Sequence, residues 1–201
     1  MSHPSRPPSH TCSSLHIPAA SPSWRLLFQS GADVCCTVGI PLEQLLRDGL
    51  GLTAEQLASV DVLLLDGMPV DAPEQAVVPD SARLALASGL PGIAGLAMKQ
   101  GSAVGALPGG ITHTGGHAVA PAPGGVRLFL YSLVLPLLAG HFLQRGVVAR
   151  ASQIERYSRF APEDLCLLDY RPMRARELTA ALSALSSTQV FLTASLTADH
   201  A

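Results

Sequence analysis

The chain has 201 residues, room for one domain with a full core or two small ones, and 48% of them are hydrophobic although only 4% are aromatic and 14% charged. So lightly charged a surface resists self-association poorly, which predicts an oligomer or a protein partner. A formal charge of -2, a pI near 6.4 and a single lysine, Lys99, exclude a nonspecific nucleic-acid binder, which has to neutralise many phosphates.

Residues 1–22, "MSHPSRPPSHTCSSLHIPAASP", are rich in Ser, Pro and His. They lack the apolar run of roughly 7 to 15 residues that a signal peptide carries, and read as a disordered arm. Three of the seven histidines lie there, without the fixed spacing of metal ligands. From Trp24, "WRLLF" reads as a strand and "SGADVCCTV" as its hairpin partner across Ser30-Gly31. Pro41 then opens a helix in which Leu42, Leu45 and Leu46 form one stripe and Gly49 or Gly51 ends it. Thr53 and Gln56 make a capping box before a short helical turn.

"VDVLLL" (60–65) is apolar on both faces, the pattern of an interior strand. Asp66-Gly67 permits a tight hairpin, and Pro69 places the returning "MPV" at a sheet edge. "QAVV" and "ARLALA" read as further strands separated by "PDS". The stretch 99–125 is a Gly/Pro-rich loop. "VRLFLYS" follows as a strand, and "LVLPLLAGHFLQRG" as a helix bent at Pro136. Ser152 and Glu155 form a second capping-box pattern, "PMRARELTAALSALSS" a helix with Leu178, Leu182 and Leu185 on one stripe, and "TQVFLTASL" a last strand.

The run "VDVLLLDGMPVDAPEQAVVPDSARLALASGLPG" resembles the second half of the small ubiquitin-like sulfur carriers. Asp66-Gly67 matches their first turn, Asp80-Ser81 the second, Leu84 and Leu86 the last strand, and Pro91-Gly92 the start of the tail. The resemblance spans residues 24–92 and implies a beta-grasp sheet with a helix packed on it. It does not carry over the carrier chemistry, which needs a terminal Gly-Gly; here the chain ends "TADHA" and Gly109-Gly110 is internal.

The expected fold class is therefore α+β: a disordered arm (1–22), a beta-grasp-like domain (23–98), the loop (99–125) and a C-terminal α+β extension packed on the same core (126–201). Leu84–Met98 and Leu128–Leu143 are uncharged, but each is shorter than the ~20 residues of a spanning helix and holds a proline, so both read as buried elements. Arg127 and Arg145 flank the second stretch and keep membrane association as a further alternative. Cys12, Cys35, Cys36 and Cys166 make no CxxC and read as incidental thiols of a reducing, cytoplasmic compartment.

Each chemical candidate has a plain counterpart. His113 and His117 in "HTGGH" have the spacing of metal ligands on a helix, but Gly115-Gly116 works against that helix and no Glu lies between them. A third ligand would be His141 or Cys166. No GxGxxG, phosphate loop or nucleophile elbow is present. Ser, His and Asp all occur, but spacing alone assembles no triad. Asp61, Asp66, Asp71 and Asp80, interrupted by Pro69, Pro73 and Pro79, read as turn residues rather than a cation loop. Arg171, Arg174 and Arg176 read as surface charges, with anion binding at a helix start as the alternative. The expected function is a non-enzymatic protein-binding or scaffold role, without a cofactor. The alternative is a small enzyme or metal-binding protein built on His113 and His117.

Overall fold

The computed structural model describes residues 12–17, 22–88, 120–184 and 188–195. The expectations for His113, His117 and Leu185 lie outside the described residues. In chain order the strands are β1 (Ser13–Ile17), β2 (Ala32–Val38), β3 (Val62–Leu65), β4 (Met68–Pro69), β5 (Arg83–Ala87), β6 (Ala122–Leu130), β7 (Val147–Arg150), β8 (Leu165–Leu168), β9 (Arg171–Arg174) and β10 (Gln189–Ala194). The helices are α1 (Pro22–Arg25), α2 (Leu42–Gln44), α3 (Ala54–Ala58), α4 (Val134–Arg145), α5 (Ala151–Ser158) and α6 (Leu178–Ser183). This is a mixed α+β architecture. Among the described residues no helix is long and apolar enough to cross a membrane.

The chain divides into two compact units, a central one of residues 35–137 and a terminal one of residues 1–34 and 138–201. Strand β2 and helix α4 each carry the chain from one unit into the other.

In the central unit the strand order is β4-β3-β5-β6, followed by the second half of β2. β3 is an interior strand, as its apolar run predicts: it pairs antiparallel with β4 on one side and β5 on the other. Asp66 and Gly67 turn the chain with φ of 52° and 85°, the left-handed pair that a two-residue hairpin of this twist demands. The predicted strand "QAVV" shrinks to one bridge between Val77 and Pro41. Leu42, Leu45 and Leu46 are buried as one stripe, and the helix closes wide, Leu50 N–H donating to Leu45 O at 2.7 Å. The Thr53–Gln56 capping box is present in both directions. β5 and β6 run parallel. Gly124 in β6 is a position of close approach, where a Cβ would lie 2.5 Å from Asp80 Oδ1 and 2.7 Å from Val38 Cγ2.

In the terminal unit the order is β9-β8-β1-β10-β7, followed by the first half of β2. Part of the expected arm is thus a strand: Leu15 and Ile17 alternate into the core with no exposed surface, while β1 pairs with β10 and β8. "WRLLF" is not a strand. Residues 22–29 are helical because Trp24, Leu27 and Phe28 bury one i, i+3, i+4 stripe. Ser30-Gly31 caps that helix, with Gly31 N–H donating to Phe28 O, instead of turning a hairpin.

Three further expectations are corrected. α5 begins before Ser152, and Gln153 Oε1 accepts from the Arg150 N–H at 3.0 Å, so the Ser152–Glu155 box does not form. "PMRA" is not helical, because Arg171–Arg174 zips onto β8 as a hairpin and the helix proper starts at Leu178. Pro136 is the third residue of α4, in the first turn where amides have no helical acceptor, so it leaves the helix interior intact.

The two units share one internal plan. In each, an edge hairpin (β4-β3 or β9-β8) pairs antiparallel with a strand (β5 or β1), which pairs parallel with the next (β6 or β10). The register agrees residue by residue: Leu65 faces Leu84, which faces Leu128, and Leu168 faces Leu15, which faces Leu192. Each hairpin aspartate makes the same reciprocal pair of bonds. Asp66 N–H donates to Arg83 O and its Oδ1 accepts from Arg83 N–H; Asp169 does both with Ser14, all four at 2.8 Å. Tyr131 N–H to Leu86 O and Ser195 N–H to Ile17 O, both 3.0 Å, close the parallel ladders alike. "DVLLLDGMPV" (61–70) and "DLCLLDYRPM" (164–173) are identical at five of ten positions, Asp, Leu, Leu, Asp and Pro.

Candidate functional site

Register carries three polar side chains of the terminal unit to one spot. His16 is the ladder partner of Thr193 across β1 and β10, so the two side chains stand side by side. Ser195 follows Thr193 by two residues and projects from the same face. The imidazole lies between both hydroxyls: Nδ1 is 3.0 Å from Thr193 Oγ1 and Nε2 is 2.9 Å from Ser195 Oγ. His16 and Thr193 are half-buried and Ser195 is exposed. With the ring proton on Nδ1, Thr193 accepts and the Ser195 hydroxyl donates to the free Nε2 lone pair, the relation of a nucleophile to a general base.

The corresponding positions of the central unit carry none of this chemistry. Ala85 stands where His16 does, Phe129 where Thr193 does and Tyr131 where Ser195 does. The two aromatic rings stack with centroids 6.4 Å apart, and the Arg83 guanidinium lies 5.2 Å from the Phe129 centroid. Just beyond, Leu133 is 72% and Leu137 49% exposed, an i, i+4 pair where α4 begins, with Tyr131 also at the surface. One plan thus bears a hydroxyl–imidazole network in the terminal unit and an exposed apolar face in the central one.

The residues singled out in the sequence fall elsewhere. Asp66 and Asp80 are corners: Asp80 Oδ1 accepts from Gly125 N–H at 2.9 Å, as Asp66 does from Arg83. Among the described residues no group of three or more His, Cys, Asp and Glu could hold a metal. His141 packs edge-on against Phe142, ring centroids 5.2 Å apart. Cys166 is buried in β8, where desolvation first and the Asp164 charge second push its thiol up to about 11, so it stays protonated and unreactive at neutral pH. All four cysteines are thiols. In the arginine group, Arg174 donates to Glu163 O at 2.7 Å and Arg176 pairs with the Glu163 carboxylate, so both cations are engaged within the chain.

Sequence reasoning missed His16, Thr193 and Ser195, since 179 positions separate His16 from Ser195. The signal that could have found them is the internal repeat, which places β1 and β10 where β5 and β6 lie. The chain matches no protein-family model, no curated protein and no solved structure.

Proposed function

We propose that the chain is a protein-binding or scaffold molecule whose central unit presents Tyr131, Leu133 and Leu137 to a second copy of the chain. The carrying observation is the 72% exposure of Leu133, joined by Leu137 and by an aromatic pair over which an arginine sits. Aromatic and arginine side chains around an apolar centre are the composition of interface cores. A net charge of -2 over 201 residues opposes the approach of an identical molecule only weakly. Sedimentation velocity tests the reading. Wild-type protein is expected to associate as concentration rises, and Leu133→Asp/Leu137→Asp to remain monomeric with unchanged thermal stability. A wild type that stays monomeric throughout sinks it.

The same reading treats each unit as a rearranged beta-grasp. A beta-grasp sheet is built from a hairpin, a helix and further strands. In the central unit the helix follows β2, and the neighbour of β2 is β6, which arrives last in the chain instead of first. Gly124 near the start of β6 stands against Val38 at the end of β2, as it would between antiparallel hairpin strands. The strand expected from "WRLLF" is thus supplied from the other end of the unit.

A further inference from the structure

We propose that Ser195 is a nucleophile activated by His16, and that the terminal unit transfers or hydrolyses the acyl group of small activated esters. This goes beyond the apolar binding reading and rests on separate residues. Three observations carry it. Ser195 Oγ lies 2.9 Å from His16 Nε2, within the reach that proton transfer requires. The other ring nitrogen is held by Thr193 at 3.0 Å, which fixes the ring plane and, when Thr193 accepts, leaves Nε2 free as a base. Finally, the three residues depart together from the shared plan: where the central unit has Ala85, Phe129 and Tyr131, the terminal unit has imidazole and two hydroxyls, while the surrounding ladder bonds are unchanged.

The position of Ser195 suits the role. Its backbone N–H is tied to Ile17 O at 3.0 Å at the end of the parallel ladder, and its side chain is exposed. A fixed hydroxyl facing solvent meets an ester without any strand having to open. In the step, Oγ bonds to the ester carbonyl carbon as its proton passes to His16 Nε2. The carbon–oxygen bond to the leaving alcohol then breaks, and that alcohol takes the proton from Nε2, leaving acyl-Ser195. Water repeats the sequence: His16 takes one of its protons, the hydroxide oxygen bonds to the acyl carbon, and Ser195 leaves with the proton restored. The sum is ester plus water to acid plus alcohol. Thr193 acts as a positioning residue, through the ring.

A fluorophosphonate probe on the full chain tests the proposal, with the modified residue mapped by mass spectrometry and p-nitrophenyl acetate hydrolysis as a second readout. Labelling is expected on Ser195, absent in Ser195→Ala, and lowered about 10²-fold or more in His16→Gln, the scale of a lost general base. Thr193→Val should slow labelling at unchanged thermal stability, and Thr193→Ser should restore the rate, which a merely structural role for the hydroxyl would not do. Should His16→Gln fail to fold, Ser195→Ala and the Thr193 pair, all at strand surfaces, still decide. Equal labelling of Ser195→Ala and wild type, or wild-type labelling no faster than that of the urea-unfolded chain, overturns the proposal. Neither result bears on association through Leu133 and Leu137.

Discussion

Gly67 and Tyr170 occupy the same point of the two edge hairpins, with φ of 85° and 65°. A side chain at Gly67 would meet nothing within 4 Å, so only the backbone resists one there. The left-handed region costs an ordinary residue about 1–2 kcal/mol and a β-branched one most. Gly67→Val is accordingly expected to lose about 1–2 kcal/mol in urea denaturation and Gly67→Asn less, because Asn tolerates that region. Asp71→Asn, at an exposed turn position, should stay within about 0.5 kcal/mol of wild type. A Gly67→Val midpoint equal to that of Asp71→Asn would mean that the hairpin does not depend on its turn. Tyr170, 91% exposed, shows how the sister hairpin meets the same demand: its neighbour Asp169 ties the turn to Ser14 by two hydrogen bonds, as Asp66 ties its own to Arg83.

At the scale of elements, the same plan places a proline on each outer strand. Val70 N–H donates to Leu63 O, so the pair Leu64–Pro69 lies between ladder bonds and the Pro69 nitrogen faces the open side. Ala175 N–H to Asp164 O sets the same alternation for Leu167–Pro172. A proline there removes the donor that a neighbouring chain would use, and the next outward amide of β9, Arg174 N–H, is already taken by Glu177 Oε2 at 3.3 Å. Among the described residues the outer strand of each unit, β4 and β9, therefore offers no unpaired outward amide to an added strand. Pro69→Thr/Pro172→Thr is expected to restore those donors and promote association. The measurement belongs in the Leu133→Asp/Leu137→Asp background, so that the apolar face does not mask it. A double proline variant that sediments there as the same monomer would show that something other than the prolines guards the edges.

At the scale of the molecule, the reach of the sequence follows the distance between partners. Local signals were legible: the Thr53 box, the Asp66-Gly67 hairpin, β3 as an interior strand and α4 all lie within a dozen residues of what defines them. "WRLLF" misled because five apolar-rich residues fit a strand as well as one helical stripe, and only the burial of Trp24, Leu27 and Phe28 decides between them. The pairing within the terminal unit was illegible for a different reason. Its central strand comes from residues 13–17 and its neighbours from residues 165–168 and 189–194, so neither pairing nor the His16 network leaves a local trace. That topology makes a test. Deleting residues 1–17 removes the strand between β8 and β10, together with the fully buried Leu15 and Ile17. Trp24, the sole tryptophan, is itself fully buried with its indole N–H on Asp164 Oδ2 at 3.0 Å, and it reports on this unit alone. The deletion is expected to shift its fluorescence to the red and expose it to quenchers, and a synthetic peptide of residues 12–18 to reverse both by refilling the gap. In the central unit the equivalent strand, β5, is retained, so the amides of Asp66 and Arg83 should keep their hydrogen-exchange protection. If Trp24 stays buried without residues 1–17, β1 is an ornament on the terminal unit and the shared plan of the two units does not describe what holds them together.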